Sequence, residues 1–362
     1  MKKFLSIVLV LILCPAAGMA EGDEGIVYTD AAQLGILGKI HKLTPNPYHR
    51  VDTVAYKGFD TAENRQVRCS AGLCVAFTSN AGRIWIRAAY GYRNYGNNTM
   101  GIALRGYDLY VKRDGKWLWA ASGCPNLKSE DTPFELIGNM DGSEKEFLLY
   151  LPIYSELRKL EIGIDEGASV KASGNPFRHR VGVFGSSFTQ GISTTRAGMS
   201  WPSQLGRFTG FEMLNLGCSG HCMMQQYFAD VLCDAEVDAF IFDTFSNPSA
   251  ELISERLFPF IEKIRKAHPG VPMIFMQTIY RERRNFNCKV DSFERKKMET
   301  ASALMEEACR KYKDVYFIKA NATSEDHETS VDGIHPTDEG YTLWADSIKN
   351  PILEILSKYG IR

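Results

Sequence analysis

The sequence predicts two folded units in series, an all-β sandwich of jelly-roll type followed by an α/β unit with a parallel sheet. Short β-type runs broken by Gly, Asn and Asp fill the first half, and no long helical period interrupts them. From about residue 178 onward, apolar runs alternate with helical stretches, which is typical of a parallel sheet with helices on both faces. A stretch rich in Ser, Gly, Asn and Pro at Lys171–His179 marks the linker, so we place the units at residues 21–174 and 175–362.

Residues 1–20 have the three parts of a secretory signal peptide. These parts are a basic start, an apolar run and small residues for cleavage: Lys2-Lys3, Phe4–Cys14, and Gly18 with Ala20. The apolar run is short for a membrane span. An uncleaved anchor and a lipid-modified Cys14 are the alternatives, and the bulky Leu13 argues against lipidation. We expect the mature protein to begin near Glu21 and to work outside the cytoplasm, in the periplasm or the medium.

The charge balance restricts the partners of the protein. Forty-two basic residues against forty-three acidic ones give a formal net charge of −1, and neither sign forms a long run. Nothing therefore favours nucleic acid or an anionic membrane surface, and we expect no stable membrane insertion once the signal is removed. The expected partner is a small or neutral molecule.

Eight cysteines follow the signal, and export would permit disulfides among them. The close pair Cys69 and Cys74 is a plausible disulfide. The run Cys218-Ser219-Gly220-His221-Cys222 lacks a second Cys/His pair at the spacing that a zinc site needs. We therefore expect neither a metal nor another cofactor.

Five runs in the first half have strand composition and are separated by turn signals such as Arg113-Asp114-Gly115. They are Leu73–Phe77, Arg83–Ala88, Gly106–Val111, Trp117–Trp119 and Lys145–Tyr150. Five runs are predicted to form the parallel sheet of the second half: Arg180–Phe184, Phe211–Leu216, Val237–Asp243, Val271–Thr278 and Val315–Lys319. Two long stretches, Pro248–His268 and Ser292–Lys313, have the three-four apolar spacing of a helix with one buried face.

Residues suited to ester hydrolysis follow four of the predicted parallel strands. Ser187 comes after the first strand, Gly220 after the second, Asn247 after the third, and Asp332 and His335 after the fifth. Loops after parallel strands gather along one edge of a sheet, so we expect these residues to lie close together. A serine hydroxyl needs a base as it attacks, and a histidine with a pKa near 6.5 is suited to that task. Asp332 is the candidate carboxylate that fixes the tautomer of the His335 ring.

Attack on an ester carbonyl creates an oxyanion, and each preorganised donor to it is commonly worth about 10²–10³ in rate. The backbone amides of Ser187 and Gly220 and the side-chain amide of Asn247 would supply three donors. Taken singly, an Asp-x-x-His-Pro segment is more often a capped loop, and a lone Asn more often a turn former. Four such segments in this order favour a catalytic site. The nucleophile-elbow fold is excluded because residues 185–189 lack the second glycine of Gly-x-Ser-x-Gly.

These segments resemble the conserved blocks of the SGNH, or GDSL-type, esterase superfamily. The run Gly185-Ser186-Ser187-Phe188-Thr189-Gln190-Gly191 resembles the first block, Gly220 the second, Asn247 the third and Asp332 to His335 the last. The resemblance implies a flavodoxin-like three-layer fold, a catalytic triad of Ser187, His335 and Asp332, and an oxyanion hole of Ser187, Gly220 and Asn247. Gly106-Tyr107-Asp108-Leu109-Tyr110 is similar to the Gly-x-Asp-Leu-Tyr signature of a β-domain that precedes such hydrolase domains in some bacterial proteins.

Two positions depart from the family pattern. The usual aspartate of Gly-Asp-Ser is Ser186, so the hydrogen bonds of that carboxylate must come from another residue or be absent. The third block reads Phe245-Ser246-Asn247-Pro248 instead of Gly-x-Asn-Asp, which affects the placement of Asn247.

The expected function is an exported serine esterase that removes a short acyl group, most simply acetyl, from a carbohydrate. His221, Tyr280 and Arg281 are further candidates for substrate binding, whereas Asp108 and Tyr110 are expected to be structural. Two alternatives stay open: a lipid or thioester hydrolase, which would need a long apolar acyl groove, and a carbohydrate-binding protein with an inactive hydrolase unit.

Overall fold

The structure is a computed structural model that describes residues 23–94, 96–126 and 132–362, so the predicted signal peptide lies outside the described residues. Within that part of the chain, no helix is both long enough and apolar enough to cross a membrane. The described residues form three sheets, two of them antiparallel in the first half and one parallel in the second. The predicted boundary at residues 174 and 175 falls between the last antiparallel strand and the first parallel one.

The first half is a sandwich of two antiparallel sheets, as predicted. Its helices and strands are β1 Ile26–Asp30, β2 Ile36–Leu37, α1 Thr61–Val67, β3 Cys74–Ser79, β4 Ile84–Arg93, α2 Gly101–Arg105, β5 Tyr107–Arg113, β6 Lys116–Gly123, β7 Phe134–Ile137, β8 Lys145–Tyr150, β9 Ser155–Asp165 and β10 Val170–Ala172. One sheet has the strand order β1-β9-β4-β7, and the other has the order β10-β3-β8-β5-β6 with β2 beside β3. The short helix α1 was not predicted, and it begins at a capping box in which Asp60 and Glu63 bond each other's backbone amides.

The central strands β3 and β8 of the second of these sheets are buried on both faces. In β8, Phe147 and Leu149 point into the core between the two sheets. Leu148 and Tyr150 point the other way and pack with Ala197 of the second half. Because side chains alternate along a strand, a continuous apolar run means that both faces of the sheet are covered. The outer face of the sandwich is therefore the surface that docks onto the α/β unit.

The second half is an α/β unit with five parallel strands and helices on both faces, which confirms the predicted fold class. Its helices and strands are β11 Arg178–Gly185, α3 Ser187–Gln190, α4 Trp201–Thr209, β12 Phe211–Gly217, α5 Gln226–Cys233, β13 Ala239–Asp243, α6 Ala250–Ala267, β14 Met273–Met276, α7 Cys288–Lys311, β15 Val315–Ile318 and α8 Asp338–Ser357. The strand order is β12-β11-β13-β14-β15. On one face, Trp201 of α4 stacks on Trp344 of α8 with ring centroids 5.6 Å apart.

The strand order reverses at β11, which positions the residues of interest. Gly185 at the end of β11 pairs with Gly217 of β12 on one side and with Asp243 of β13 on the other. The three strands therefore end at the same position along the sheet, and the loops that follow them lie side by side at its carboxyl edge. Ligands of such folds bind in the crevice at this switch point.

Buried polar contacts join the two halves. The Asp108 carboxylate accepts hydrogen bonds from Arg196 Nη1 at 3.0 Å and from the Gly198 amide at 2.8 Å. Arg196 Nη1 also donates to the Tyr110 hydroxyl at 2.6 Å. Asp108 and Tyr110 of the Gly-x-Asp-Leu-Tyr signature therefore bind a loop of the α/β unit.

Cys69 and Cys74 do not form the disulfide that their spacing suggested, since both are free thiols. Cys69 Sγ lies 3.3 Å from the Arg65 carbonyl at the end of α1, whereas Cys74 begins β3 and packs in the interface between the two halves. Closeness in sequence does not bring the two sulfur atoms together, because a turn separates the helix from the strand.

Candidate active site

Ser187, His335 and Asp332 form a continuous hydrogen-bonded line. Ser187 Oγ lies 3.0 Å from His335 Nε2, and His335 Nδ1 lies 2.8 Å from Asp332 Oδ2. An imidazole that donates from Nδ1 to the carboxylate has its Nε2 lone pair directed at the serine hydroxyl. The arrangement therefore suits transfer of the serine proton to the histidine.

Each oxygen of the Asp332 carboxylate accepts two hydrogen bonds. The amides of Ile334 and His335 donate to Oδ1 at 3.0 and 2.9 Å, and the side chain of Asn98 donates to Oδ2 at 3.0 Å. Burial works to raise the pKa of Asp332, but the bonds from His335 and Asn98 outweigh it and lower the pKa well below the ordinary range. Asp332 is thus a carboxylate throughout the neutral range, and one of its donors comes from the β-sandwich.

His335 is a neutral base at neutral pH. Burial lowers the pKa of His335 below 6.5, the nearby Asp332 carboxylate opposes this change, and the positive charges of Arg281 and Arg283 add to it. The ring packs against Phe188, with centroids 5.4 Å apart and the planes at 65°. A base that is unprotonated and fixed in position is suited to accept a proton from Ser187.

Ser187 begins the short helix α3 directly after β11, and 7% of its surface is exposed. Ser186 caps this helix, because its hydroxyl accepts a hydrogen bond from the Phe188 amide at 3.2 Å. The turn ends at Gly191, whose φ of 104° suits glycine. The family-like run of residues 185–191 is therefore a strand, a serine turn and a glycine stop.

Asp243 supplies the carboxylate that the family pattern lacks at position 186. Asp243 Oδ2 accepts hydrogen bonds from the Ser186 hydroxyl at 2.7 Å, the Ser186 amide at 3.1 Å and the Thr189 hydroxyl at 3.0 Å. Its Oδ1 accepts from the Ser246 hydroxyl at 2.8 Å. Burial raises the pKa of Asp243, and these hydrogen bonds oppose the rise. The acid thus comes from the end of β13 and not from the residue before the nucleophile.

The three expected oxyanion donors are free to bind a ligand. Within the described part of the chain, no group accepts a hydrogen bond from the amides of Ser187 and Gly220 or from Asn247 Nδ2. Gly220 has a φ of 76°, and no atom lies within 4 Å of the place where a Cβ would be. Asn247 Oδ1 accepts from the Cys222 amide at 3.1 Å, which leaves the NH₂ group of that side chain as the free end.

The loop before Gly220 is fixed from both halves of the chain. The Ser219 amide donates to Gln190 Oε1 at 3.0 Å and to Gln66 Oε1 at 2.6 Å, and Gln66 Nε2 donates to the Ser219 carbonyl at 3.0 Å. Arg50 of the first half is fully buried, and its Nη1 donates to the carbonyls of Asn215 and Gly217 at 3.1 and 2.8 Å. The β-sandwich therefore positions the end of β12 and the loop that contains Gly220.

Two of the candidates for substrate binding already have partners in the protein. Arg281 Nη1 donates to Glu294 at 2.9 Å, and its Nη2 donates to the Ser246 carbonyl, next to Asn247. The Tyr280 hydroxyl donates to Asn285 at 2.6 Å, and the structure records no contact between Tyr280 and the triad. Their assignment as substrate-binding residues stays a prediction.

His221 lies beside Gly220 and faces two acidic residues of the first half. Its Nδ1 is 3.7 Å from Asp60 Oδ2 and 3.5 Å from Glu63 Oε1, and the three ligand atoms lie within 4.8 Å of one another. Both Glu63 oxygens already accept hydrogen bonds, Oε1 from the Tyr227 hydroxyl at 2.7 Å and Oε2 from the Asp60 amide at 2.9 Å. These hydrogen bonds hold the Glu63 carboxylate in its position beside His221.

Two family models match the chain, one on each half. The model of the GDSL-like lipase/acylhydrolase family matches residues 178–354, and a model for the N-terminus of SGNH-hydrolase-type esterases, named for the Gly-x-Asp-Leu-Tyr signature, matches residues 26–170. No curated protein gives a significant match.

Solved structures of similar fold cover almost the whole chain. A Bacteroides ovatus protein described as a GDSL-like lipase is 38% identical, with a TM-score of 0.88 over 92% of this chain and 98% of its own. A family two carbohydrate esterase from Cellvibrio japonicus is 12% identical, with a TM-score of 0.60 over 92% and 98%. An acetyl xylan esterase from Butyrivibrio proteoclasticus is 12% identical, with a TM-score of 0.53 over 91% and 99%.

Proposed function

The chain belongs to the GDSL-like lipase/acylhydrolase family, and on this basis we propose that it is an exported serine esterase that removes acetyl groups from carbohydrates. The observation behind the serine mechanism is the line from Ser187 Oγ through His335 to Asp332, with distances of 3.0 and 2.8 Å. A carbohydrate-binding protein without activity would have no need for a base that bonds both a hydroxyl and a carboxylate.

In the proposed reaction, Ser187 Oγ attacks the ester carbonyl carbon while its proton moves to His335 Nε2. The carbonyl oxygen becomes an oxyanion that the amides of Ser187 and Gly220 and the NH₂ group of Asn247 stabilise. The bond to the sugar oxygen then breaks, and His335 gives its proton to that oxygen. Water repeats the sequence on the acyl-enzyme: His335 takes a proton from the water, acetate leaves, and Ser187 Oγ regains a proton.

The acetyl and carbohydrate parts of the proposal come from the similarity of fold to other esterases. Two solved structures with the same fold are named carbohydrate esterase and acetyl xylan esterase, and this is an analogy of fold at 12% identity. Export is supported by the signal-like pattern of residues 1–20. Recovery of the protein outside the cytoplasm, with an N-terminus at Glu21, would test export.

The Ser187→Ala variant tests the mechanism. We expect it to lose hydrolysis of p-nitrophenyl acetate by about 10³-fold or more and to keep the circular dichroism spectrum of the native protein. Ser193→Ala is the matched control, since Ser193 lies on the loop after α3 and outside the line of hydrogen bonds. Turnover retained in Ser187→Ala would exclude the proposal.

Two substrate assays test the specificity. Release of acetate from acetylated polysaccharides, compared with release from their deacetylated forms, identifies the carbohydrate class. A series of p-nitrophenyl esters of increasing acyl length separates a deacetylase from a lipid hydrolase. We expect kcat/KM to fall as the acyl chain lengthens, and a rise would favour the lipid or thioester alternative.

A further inference from the structure

A pocket of about 280 Å³ includes Ile334, the residue before His335, in its wall, whereas Ser187, Asp332 and His335 are not part of that wall. Most of its wall comes from the turn after β14 and the first turns of α7: Arg281, Arg283, Lys289, Val290, Phe293 and Glu294. Two residues of this wall, Arg281 and Arg283, lie close enough to His335 for their charges to lower its pKa, so a group bound here would lie near the candidate triad. The composition of the pocket therefore indicates which part of a substrate it accepts.

The one acidic residue of this wall is already neutralised. Glu294 is almost fully buried, and it bonds Arg281 Nη1 at 2.9 Å and Lys297 Nζ at 2.5 Å. Lys297 is also buried, and its Nζ lies 3.3 Å from the Ser246 carbonyl. Burial and the charge of Arg281 lower the pKa of Lys297 to about 8, although Glu294 works in the opposite direction. The acid is thus flanked by two cations.

Arg283 and Lys289 have no carboxylate partner among the described residues. Their neighbours differ in this respect, because Arg284 bonds Asp291 at 2.8 Å and Lys296 pairs with Glu251 at 2.5 Å. The chain as a whole has a net charge of −1, so its composition does not explain an excess of positive charge at one place. Both of these cations line the pocket that includes Ile334.

Arg283 is held against the loop that contains Asp332 and His335. Its amide donates to the Gly333 carbonyl at 2.7 Å, and its Nη2 lies 3.5 Å from the Asp332 carbonyl. Its positive charge contributes to the lowered pKa of His335. The guanidinium is therefore held near the triad by backbone contacts, and its remaining N–H groups are available to a ligand.

The pocket also has an apolar surface next to these cations. Phe293 has 51% of its surface exposed, and Val290 and Ile334 line the pocket beside it. Ligand sites commonly combine apolar or aromatic side chains with a few polar groups that orient the ligand, which suits a sugar ring that has a charged substituent. Arg283 and Lys289 are both exposed, so their charged groups can reach a ligand that packs on this apolar surface.

We propose that this pocket binds the carboxylate of an acidic sugar of the uronic acid kind, so that the ester cleaved by Ser187 lies on that sugar or on its neighbour. The inference rests on the proposed esterase function and adds the class of substrate. A planar guanidinium binds a carboxylate through two parallel hydrogen bonds, and the Lys289 ammonium adds a second charge. The same cations would also attract sulfate, so the test must separate the two anions.

The test compares three O-acetylated methyl glycosides that differ only in this group. They are the glucuronic acid, its methyl ester and the corresponding glucoside. We expect kcat/KM to be about tenfold higher for the free acid than for the two neutral substrates, as one charge-assisted contact would give. This preference should shrink at high salt, because screening weakens exposed charge pairs.

Variants assign the preference to the pocket. In Lys289→Gln and in Arg283→Gln, the ratio of acid to neutral kcat/KM should fall to between about one and three. Lys296→Gln is the matched control, since Lys296 lies on the same helix, is exposed and pairs with Glu251, and it should keep the ratio of the native protein.

Equal kcat/KM for acid and neutral esters, or a preference that survives in both variants, would overturn the proposal and leave the esterase function standing. A greater preference for a sulfated sugar than for the uronic acid would also overturn it. Failure of the protein to hydrolyse any ester would instead refute the esterase function, so the two failures are distinguishable.

Discussion

Replacing Asn98 by alanine should slow the reaction although Asn98 belongs to the β-sandwich and does not contact Ser187. Asn98 Nδ2 donates at 3.0 Å to Asp332 Oδ2, the same oxygen that accepts from His335 Nδ1. A hydrogen bond to a charged group contributes about 1.5–3 kcal/mol. The side chain of Asp332 is 29% exposed, so we take the lower end of that range, about 1.5 kcal/mol. The expected loss in kcat is about tenfold.

The assay is the steady-state hydrolysis of p-nitrophenyl acetate by Asn98→Ala and by Asn97→Ala. Asn97 is the neighbouring exposed asparagine and serves as the control, which should stay within twofold of the native protein. The KM of Asn98→Ala should change little, since the lost contact holds Asp332, the partner of His335, and does not bind the substrate in the ground state. Asn98→Asp should lose more activity than Asn98→Ala, because a like charge beside Asp332 raises the pKa of that carboxyl.

A double-mutant cycle decides whether Asn98 acts through Asp332. In an Asp332→Asn background, the further change Asn98→Ala should cost less than twofold in kcat. The reasoning is refuted if Asn98→Ala alone stays within twofold of the native protein. It is also refuted if the same tenfold loss appears in the Asp332→Asn background.

Three further predictions follow from buried and charged groups near the site. Burial and two nearby arginines lower the pKa of His335, so the acid limb of kcat/KM should have its midpoint below pH 6.5. Arg283→Gln removes one of these charges and should move that midpoint upward. A midpoint above pH 6.5 in the native protein would contradict this prediction. Asp243→Ala removes the acceptor of four hydrogen bonds. Urea denaturation should therefore show a loss of about 3–5 kcal/mol in the free energy of unfolding. A loss below about 1 kcal/mol would exclude the role given to Asp243. Arg50→Met leaves four backbone carbonyls without their donor, and the same measurement should show a loss of similar size.

Much of the fold could be predicted because local patterns determine it. The alternation of apolar runs with helical stretches predicted the parallel sheet, and each of its five predicted strands is present in the structure. The order of polar residues after those strands brought Ser187, Asp332 and His335 into consideration together. Strand ends were less accurate: the run Val271–Thr278 became the shorter strand β14. An apolar run includes the residues that pair in the sheet and also the buried residues next to them, so the ends of the run do not mark the ends of the strand.

The remaining parts of the site depend on contacts between distant residues. Asp243 compensates for Ser186, and the sequence signal was available, since Asp243 is the last residue of a predicted apolar strand. Asn98 and Arg50 had no such signal, because each lies in a loop of the β-sandwich and meets a partner more than 160 residues away. Only the docking of one half on the other creates these bonds.

The most direct test of the central claim is to trap the acyl-enzyme. The native protein, mixed rapidly with excess p-nitrophenyl acetate and quenched with acid, should gain the mass of one acetyl group, and peptide mapping should place that group on Ser187. Asp332→Asn, which slows the transfer of the acyl group to water, should keep the same label for longer. A label on another residue, or rapid turnover by the Ser187→Ala variant, would contradict the account.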